Sequence, residues 1–181
     1  MNNKYKIGVI GSHGTGKSTA ATHLTSILKQ SNPKKSVVCL EENVRRIAKF
    51  TDGKLNTIEF QKLAMADQLF RETSNEILHD IIITDRTLLD YLVYGVLERN
   101  SLPWEYFLLV RKHLKTFKKI YFIRPDSYED KIANDHFRDT DLEYRKVVDK
   151  KFKTMLRYGK VAYTEIKSSE ILTYDYLKDL Q

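Results

Sequence analysis

The chain of 181 residues is predicted to form an α/β fold, with a parallel sheet covered by helices on both faces. Two observations predict this fold. Short apolar runs typical of buried strands alternate with longer segments of helical periodicity. The length suffices for one well-packed core but not for two large domains, so we expect residues 1–181 to form a single domain.

Five runs are predicted to be strands because they are rich in apolar, mostly branched side chains and are too short for helices. They are residues 7–10, 37–40, 81–84, 120–123 and 161–166. Polar or turn-forming residues follow three of them: Glu41 after the second, Asp85 after the third and Pro125 after the fourth. In a parallel sheet these carboxyl ends lie at one edge, where ligands bind.

The segments between the strands are predicted to be helices. They are residues 17–29, 44–50, 57–79, 88–98, 104–117 and 141–156, with one more short helix at the C-terminus. Pro33 closes the first helix, Thr57 is a predicted N-cap for the third, Pro103 introduces the fifth and Gly159 ends the sixth.

The turn between the first strand and the first helix, residues 11–19, reads Gly-Ser-His-Gly-Thr-Gly-Lys-Ser-Thr and contains the P-loop pattern. Its glycines let backbone N–H groups surround a phosphate, Lys17 adds a positive charge and Ser18 can hold Mg²⁺. The N-terminus of the following helix also favours an anion. We therefore expect a bound nucleoside triphosphate, with ATP and Mg²⁺ as cofactors. The predicted binding residues are Gly11, His13, Gly14, Thr15, Gly16, Lys17, Ser18 and Thr19.

The third predicted strand ends in a second set of candidate residues. Asp85 fits the position of an acidic residue that holds Mg²⁺ beside Ser18, directly or through water. An alternative role for Asp85 is N-cap of the helix that begins near Leu88, and both roles can coexist. Arg86 is expected to point into the same cleft, whereas Asp90 fits a structural role as well as a functional one.

Glu41 and Glu42 follow the second strand, near the expected acceptor pocket. A carboxylate there can accept a proton from an acceptor hydroxyl during phosphoryl transfer. We favour Glu42 for this role, although the sequence leaves open which glutamate faces the acceptor. The alternative is that both only form the charged start of the next helix.

Residues from about 126 to 145 are predicted to form a lid. Arg138 and Arg145 are seven residues apart and would share one helix face if the helix already begins at Arg138. Guanidinium groups brought in by lid closure can stabilise charge on a transferring phosphoryl group. The alternative is that they are surface arginines paired with acidic neighbours. Those neighbours are Asp139, Asp141 and Glu143.

The amino-acid composition limits the cellular location and the binding partners that we expect for the protein. No apolar run approaches the roughly 20 residues of a membrane span, and the single cysteine, Cys39, excludes an intrachain disulfide. With no room for a signal peptide before the first strand, we expect a cytoplasmic protein. The net charge is +7, and segment 106–125 contains six basic residues and no acidic ones. This segment is either a polyanion-binding face or a solvated helix face, and we favour the second.

Several motifs together carry a family resemblance. They are the P-loop, Glu42-x-x-Arg45, Gln68-x-x-x-Glu72, Asp85-Arg86-x-x-x-Asp90, and Asp135-x-x-Arg138-Asp139 with Arg145. With them the chain resembles the nicotinamide-riboside-kinase-like (NadR-type) AAA family over about residues 7–166, and it is also similar to deoxynucleoside and thymidylate kinases. One departure is His136, where the family usually has glycine.

The resemblance implies a nucleotide-kinase-like P-loop fold with strand order 2-3-1-4-5 and a small helical lid. It implies that Glu42, Arg86 and either Gln61 or Gln68 face the substrate. In related kinases the paired helices after the third strand are a common dimer surface, so a homodimer is expected as an option.

Three functions fit these observations. The first, which we favour, is a kinase that moves the γ-phosphoryl group of ATP to a nucleoside, nucleotide or nicotinamide-riboside-like small molecule. Its predicted catalytic residues are Lys17, Glu42, Asp85, Arg86, Arg138 and Arg145. The alternatives are a 5′-hydroxyl polynucleotide kinase and a non-catalytic ATP-dependent switch. A GTPase is not expected, because the guanine-reading Asn-Lys-x-Asp sequence is missing. A ring-forming AAA motor is not expected, because such a motor normally carries a C-terminal helical domain and only a single helix is predicted after Ile166.

Overall fold

The computed structural model describes residues 4–55, 57–99, 102–128 and 142–181. Within these ranges the strands form one parallel sheet in the order β2-β3-β1-β4-β5, which confirms the expected fold class and strand order. The strands are β1 Tyr5–Ile10, β2 Val37–Leu40, β3 Ile81–Asp85, β4 Phe117–Arg124 and β5 Thr164–Lys167. The central position of β1 places its carboxyl end, and the turn that follows it, at the middle of the sheet edge.

Helices cover both faces of the sheet. They are α1 Lys17–Ser31, α2 Val44–Ala48, α3 Ile58–Leu78, α4 Leu88–Arg99, α5 Trp104–Leu114, α6 Leu142–Gly159 and α7 Tyr176–Asp179. Short 3₁₀ turns follow α2 at Lys49–Thr51 and β5 at Ser168–Glu170. As predicted, the Thr57 side chain caps α3, because its hydroxyl accepts a hydrogen bond from the Phe60 N–H at 3.1 Å.

Each face of the sheet has its own apolar core, and the strands supply the two cores in alternation. In β4, Tyr121 and Ile123 pack with Leu24 of α1, whereas Ile120 and Phe122 pack into the core formed with α3–α6. This period-two pattern is what a strand buried on both faces requires.

Two predicted boundaries are wrong for the same physical reason. We expected a helix to continue to residue 117, but α5 ends at Leu114 and Phe117 already pairs with Lys6 of β1. We expected β5 to begin at residue 161, but the Val161 N–H caps α6 by donating to the Leu156 carbonyl at 3.0 Å, while Lys160 adopts a φ of 53°. Strand pairing and helix capping decide these ends, and both depend on contacts that local propensity does not encode.

Candidate active site

The backbone of the P-loop requires glycine at defined positions. Gly11, Gly14 and Gly16 have φ values of 145°, 72° and 87°, which side-chain-bearing residues rarely adopt. At Gly11 an added Cβ would lie 2.2 Å from the carbonyl oxygen of Ile123, so the loop packs directly against the end of β4. The turn therefore combines left-handed geometry with a close backbone approach, as phosphate binding requires.

Lys17 begins α1 and is almost fully buried. Its Nζ donates to the Ser12 carbonyl at 2.7 Å, and the same oxygen accepts from the Thr15 hydroxyl at 3.0 Å. Burial lowers the pKa of Lys17 to about 8, and the positive charge of Arg86 acts in the same direction. The ammonium group is thus poorly solvated, and the phosphates of a bound nucleotide would add negative charge beside it.

Ser18 and Asp85 form the predicted metal pair. The Ser18 hydroxyl donates to Oδ2 of Asp85 at 2.5 Å, and Asp85 is placed there because it pairs in register with Val9 at the end of β1. Oδ1 of Asp85 is buried and has no hydrogen-bond partner among the described residues. A hydroxyl and an unsatisfied carboxylate oxygen are hard ligands that fit Mg²⁺. The described residues contain no group of three or more His, Cys, Asp or Glu side chains that could hold a metal ion.

A different residue fills the N-cap role considered for Asp85. The Thr87 hydroxyl accepts from the Leu89 N–H at 3.1 Å, and the Thr87 N–H donates to Oδ2 of Asp90 at 2.8 Å. This reciprocal pair is a capping box at the start of α4. Burial raises the pKa of Asp90 to about 6. Asp90 therefore has the structural role, and Asp85 remains available to the cleft.

Glu42 and Arg86, which line the same cleft as Lys17, form an ion pair. Nη2 of Arg86 lies 2.9 Å from Oε2 of Glu42, and the guanidinium lies 5.9 Å from the ring centre of Tyr94. Burial alone would raise the pKa of Glu42, but the charge and hydrogen bond of Arg86 outweigh burial and lower that pKa, so the carboxylate stays ionised. Glu41 also lines the cleft and both glutamates are exposed, but Glu42 is the glutamate that engages Arg86.

The P-loop, Asp85, Glu42 and Arg86 all line one cleft with a volume of about 600 Å³. Its other lining residues include Thr22, Cys39, Val44 and Arg45. Sequence reasoning gave no site role to Tyr94, whose hydroxyl accepts from the His13 N–H at 3.1 Å. The spacing from Asp90 to Tyr94, one helical turn on α4, was the available signal.

The predicted lid lies mostly outside the described residues. Residues 129–141, including Arg138, are among those not described. Arg145 on α6 is 1% exposed, and its Nη1 donates to the Tyr128 carbonyl at 3.4 Å, so the alternative that Arg145 is a surface arginine is wrong. Tyr128 also donates its hydroxyl to Asp149 of α6 at 2.8 Å.

The two glutamines considered for the acceptor pocket are both buried outside the cleft lining. Gln61 donates to the Leu55 carbonyl at 3.2 Å, and Gln68 is 0% exposed and donates to Glu72 at 2.7 Å. Neither amide faces the cleft of the described residues, contrary to what the family resemblance implied for one of them. The amide nitrogen of Gln68 instead lies 3.4 Å from the carbonyl oxygen of Arg86.

The basic segment 106–125 is partly neutralised within the protein. Lys118 donates to the Leu180 carbonyl at 2.8 Å, and Lys119 lies 2.7 Å from the Asp179 carboxylate. Arg124 lies 3.5 Å from Glu165. The remaining cations of this segment are exposed on α5 or directly after it; they are Arg111, Lys112 and Lys115. Two of the six positive charges in the segment are therefore offset by carboxylates within the protein.

Together, the parallel sheet of order 2-3-1-4-5 and the P-loop at its central strand define a P-loop nucleotide-binding protein. A family model described as an AAA domain matches residues 6–171, and the chain belongs to this AAA-domain family. The resemblance inferred from the sequence motifs is thereby confirmed at the level of family and fold. A comparison with curated proteins gives no match.

Solved structures agree with this fold. Thymidylate kinase from Ehrlichia chaffeensis superposes with a TM-score of 0.73 at 15% identity, covering 99% of this chain and 100% of that one. Thymidylate kinase from Candida albicans gives a TM-score of 0.66 at 15% identity, covering 94% and 88% of the two chains. A NadR protein in complex with NR gives 0.64 at 20% identity, covering 91% of this chain and 45% of the NadR chain. At these identities the likeness shows the fold.

None of the helices in the described part of the chain has both the length and the apolar character needed to cross a membrane.

Proposed function

We propose that this protein is an ATP- and Mg²⁺-dependent kinase that transfers the γ-phosphoryl group to a nucleoside, a nucleotide or a nicotinamide-riboside-like small molecule. One observation carries the proposal: the P-loop and the Glu42–Arg86 ion pair line the same cleft, which has a volume of about 600 Å³. That volume is in the range of small-molecule sites. A triphosphate on the P-loop would thus place its γ-phosphoryl group towards the carboxylate and guanidinium.

The residues divide the chemistry between them. Lys17 and Arg86 would offset the negative charge that spreads over the transferring group. Ser18 and Asp85 would hold Mg²⁺, which when bound supplies charge neutralisation at the phosphate oxygens. The sequence prediction assigns Arg138 and Arg145 to the same charge-neutralising role, and it stays a prediction.

Glu42 is the proposed general base for a hydroxyl acceptor. The acceptor oxygen forms a bond to the γ-phosphorus, the bond from that phosphorus to the β–γ bridging oxygen breaks, and ADP leaves. The proton of the hydroxyl passes to an Oε atom of Glu42. Its pairing with Arg86 supports this role, because it keeps the carboxylate ionised and fixes its orientation.

The ion pairs of Lys119 and Arg124 weaken the polynucleotide-kinase alternative, because they offset two of the six cations in the basic segment. The non-catalytic switch remains the second outcome of the test below.

The test is release of ADP from Mg·ATP with a panel of acceptors: nucleosides, deoxynucleoside monophosphates, nicotinamide riboside and 5′-hydroxyl oligonucleotides. We expect one small-molecule class to stimulate release. Glu42→Gln should lower kcat by roughly 10²- to 10⁴-fold, while ATP affinity stays nearly unchanged. Glu41→Gln is the matched control and should have little effect.

Each other result has a defined meaning. ATP binding without stimulation by any acceptor would reject the kinase proposal and favour a switch. Stimulation by oligonucleotides, with steep salt dependence, would identify a polynucleotide kinase. Equal losses in the Glu41→Gln and Glu42→Gln variants would reject Glu42 as the base.

A further inference from the structure

A buried cluster of polar side chains lies next to the part of the cleft that contains Glu42 and Arg86, which we call the acceptor half. At its centre is Glu72 on α3, which is 1% exposed. Its carboxylate lies 3.0 Å from Lys6 Nζ, 2.8 Å from His113 Nε2 and 2.7 Å from Gln68 Nε2. Burial acts to raise the pKa of Glu72, but its contacts with His113 and Lys6 outweigh burial and lower that pKa. Glu72 is therefore a buried, ionised acceptor.

Gln68 connects this cluster to the two loops of the acceptor half. Its Nε2 lies 3.4 Å from the carbonyl oxygen of Arg86, in the loop after β3. Its Oε1 accepts from Arg71 at 3.1 Å, and Arg71 in turn donates to the carbonyl oxygen of Glu41 at 2.8 Å, in the loop after β2. One side-chain amide thus holds both loops, one directly and the other through Arg71.

The orientation of this amide is fixed by Glu72 together with Arg71 and the Arg86 carbonyl. If the amide were rotated by 180°, Oε1 would face the Glu72 carboxylate and the Arg86 carbonyl, and the NH₂ group would face the Arg71 guanidinium. All three contacts would then be repulsive. The negative charge of Glu72, at the shortest of the three contacts, strengthens the preference for the orientation in which Gln68 donates to the Arg86 carbonyl and accepts from Arg71.

Arg86 needs such a support because its backbone is strained. Its φ is 85°, a left-handed value that is uncommon for residues other than glycine. The Arg86 N–H donates to the Val9 carbonyl at 3.0 Å, and Gln68 lies within hydrogen-bonding reach of its carbonyl. Strained residues at functional sites persist only where the surrounding contacts determine them.

We infer that Gln68, oriented by Glu72, is a positioning residue that fixes the loops of Glu41 and Arg86 and thereby aligns the Glu42–Arg86 pair for phosphoryl transfer. This inference rests on the proposed kinase function. Gln68 and Glu72 act through the two loops and touch neither the nucleotide nor the acceptor.

The experiment compares Gln68→Leu with Gln61→Leu. Gln61 is a matched control because it is a buried glutamine on the same helix, two turns away, whose amide bonds the Leu55 carbonyl and neither acceptor loop. We expect Gln68→Leu to lower kcat at least tenfold with less than a twofold change in KM for ATP. Gln61→Leu should leave kcat within about twofold of the parent value.

Hydrogen exchange supplies a readout that does not depend on turnover. In the Gln68→Leu variant, amides of residues 41–45 and 85–88 should exchange faster than in Gln61→Leu, whereas amides of the P-loop should not. If Gln68→Leu fails to fold, Glu72→Gln provides the second variant, because it removes the charge that favours the amide orientation and keeps the side-chain shape. It should give the same pattern with a smaller loss of kcat.

The outcomes separate this inference from the kinase proposal. A parent protein without activity would reject the kinase function, and faster exchange in the two loops would still support the structural part of the inference. Unchanged exchange in residues 41–45 and 85–88, or equal kcat losses in the Gln68→Leu and Gln61→Leu variants, would overturn the positioning role.

Discussion

The turn after β1 and the turn after β3 adopt left-handed backbone geometry with different residues. In the first, Gly11, Gly14 and Gly16 take the positive φ values. In the second, Arg86 takes a φ of 85° and carries its guanidinium into the cleft. For a residue other than glycine this geometry costs about 1–2 kcal/mol. The nucleotide half of the cleft is therefore built from unstrained backbone, and the acceptor half from a strained residue held by its neighbours.

The two halves also differ in where their supports come from. The P-loop obtains its groups from consecutive residues, with Lys17 and Thr15 both donating to the Ser12 carbonyl. Arg86 depends on Glu42 and Gln68, which come from other parts of the chain. A contiguous site tolerates changes elsewhere in the protein, whereas an assembled site is sensitive to residues that never touch the ligand. The predictions below test this difference.

The largest effect is expected for Lys17→Met. Loss of the ammonium group removes the charge that faces the outer phosphates, and we expect phosphoryl transfer to fall by roughly 10³-fold or more. The measurement is ADP release with the best acceptor, beside thermal unfolding to confirm the fold. Lys34→Met, at an exposed lysine just after α1, is the control and should retain full activity. If Lys17→Met keeps at least a tenth of the parent activity, the backbone N–H groups of the P-loop suffice to bind the phosphates without the ammonium group.

A comparison of two glycines should give the next largest effect, this time on stability. Gly11→Ala places a Cβ 2.2 Å from the Ile123 carbonyl at a φ of 145°, and we expect a loss of about 3 kcal/mol or more in the free energy of unfolding. Gly53→Ala has a φ of 77° but no atom within 4 Å of the added Cβ, so only the backbone strain of about 1 kcal/mol applies. Urea unfolding measures both losses. Equal losses would mean that the close approach to β4 relaxes easily.

The contrast between a contiguous site and an assembled site also explains which features could be predicted from the sequence. The P-loop and Asp85 were predictable because contiguous motifs encode them, and the sheet order followed from the family resemblance. The left-handed conformation of Arg86 has no such signal, because arginine rarely adopts it. The spacing of Gln68 and Glu72 does place them on one helix face, but burial, which decides their role, becomes visible only in the folded chain. The early start of β4 likewise depends on pairing with Lys6.

The smallest expected effect is the pH dependence of nucleotide affinity, which distinguishes the charge of Lys17 in the nucleotide half from that of Arg86 in the acceptor half. The pKa of Lys17 is lowered to about 8 by burial, so in the free protein its charge is lost as pH rises through 8. Phosphates bind the charged form, and binding is therefore strongest below pH 8. Between pH 7 and pH 9 we expect the affinity for Mg·ATP to fall about tenfold, the ratio of the protonated fractions. The affinity at each pH is measured by binding of a fluorescent ATP analogue.

Arg86 should contribute nothing to this pH dependence. Burial acts to lower its pKa, but Glu42 and other nearby groups raise it above the ordinary value of arginine, so the guanidinium remains charged throughout. Lys17→Arg then becomes the informative control, because an arginine at position 17 would stay protonated to pH 9. Its affinity for the analogue, even if weaker, should not change with pH over this range. If the affinity of the Lys17→Arg variant falls with pH as steeply as that of the parent, a group other than Lys17 titrates. The charges of the two halves would then not differ in this way.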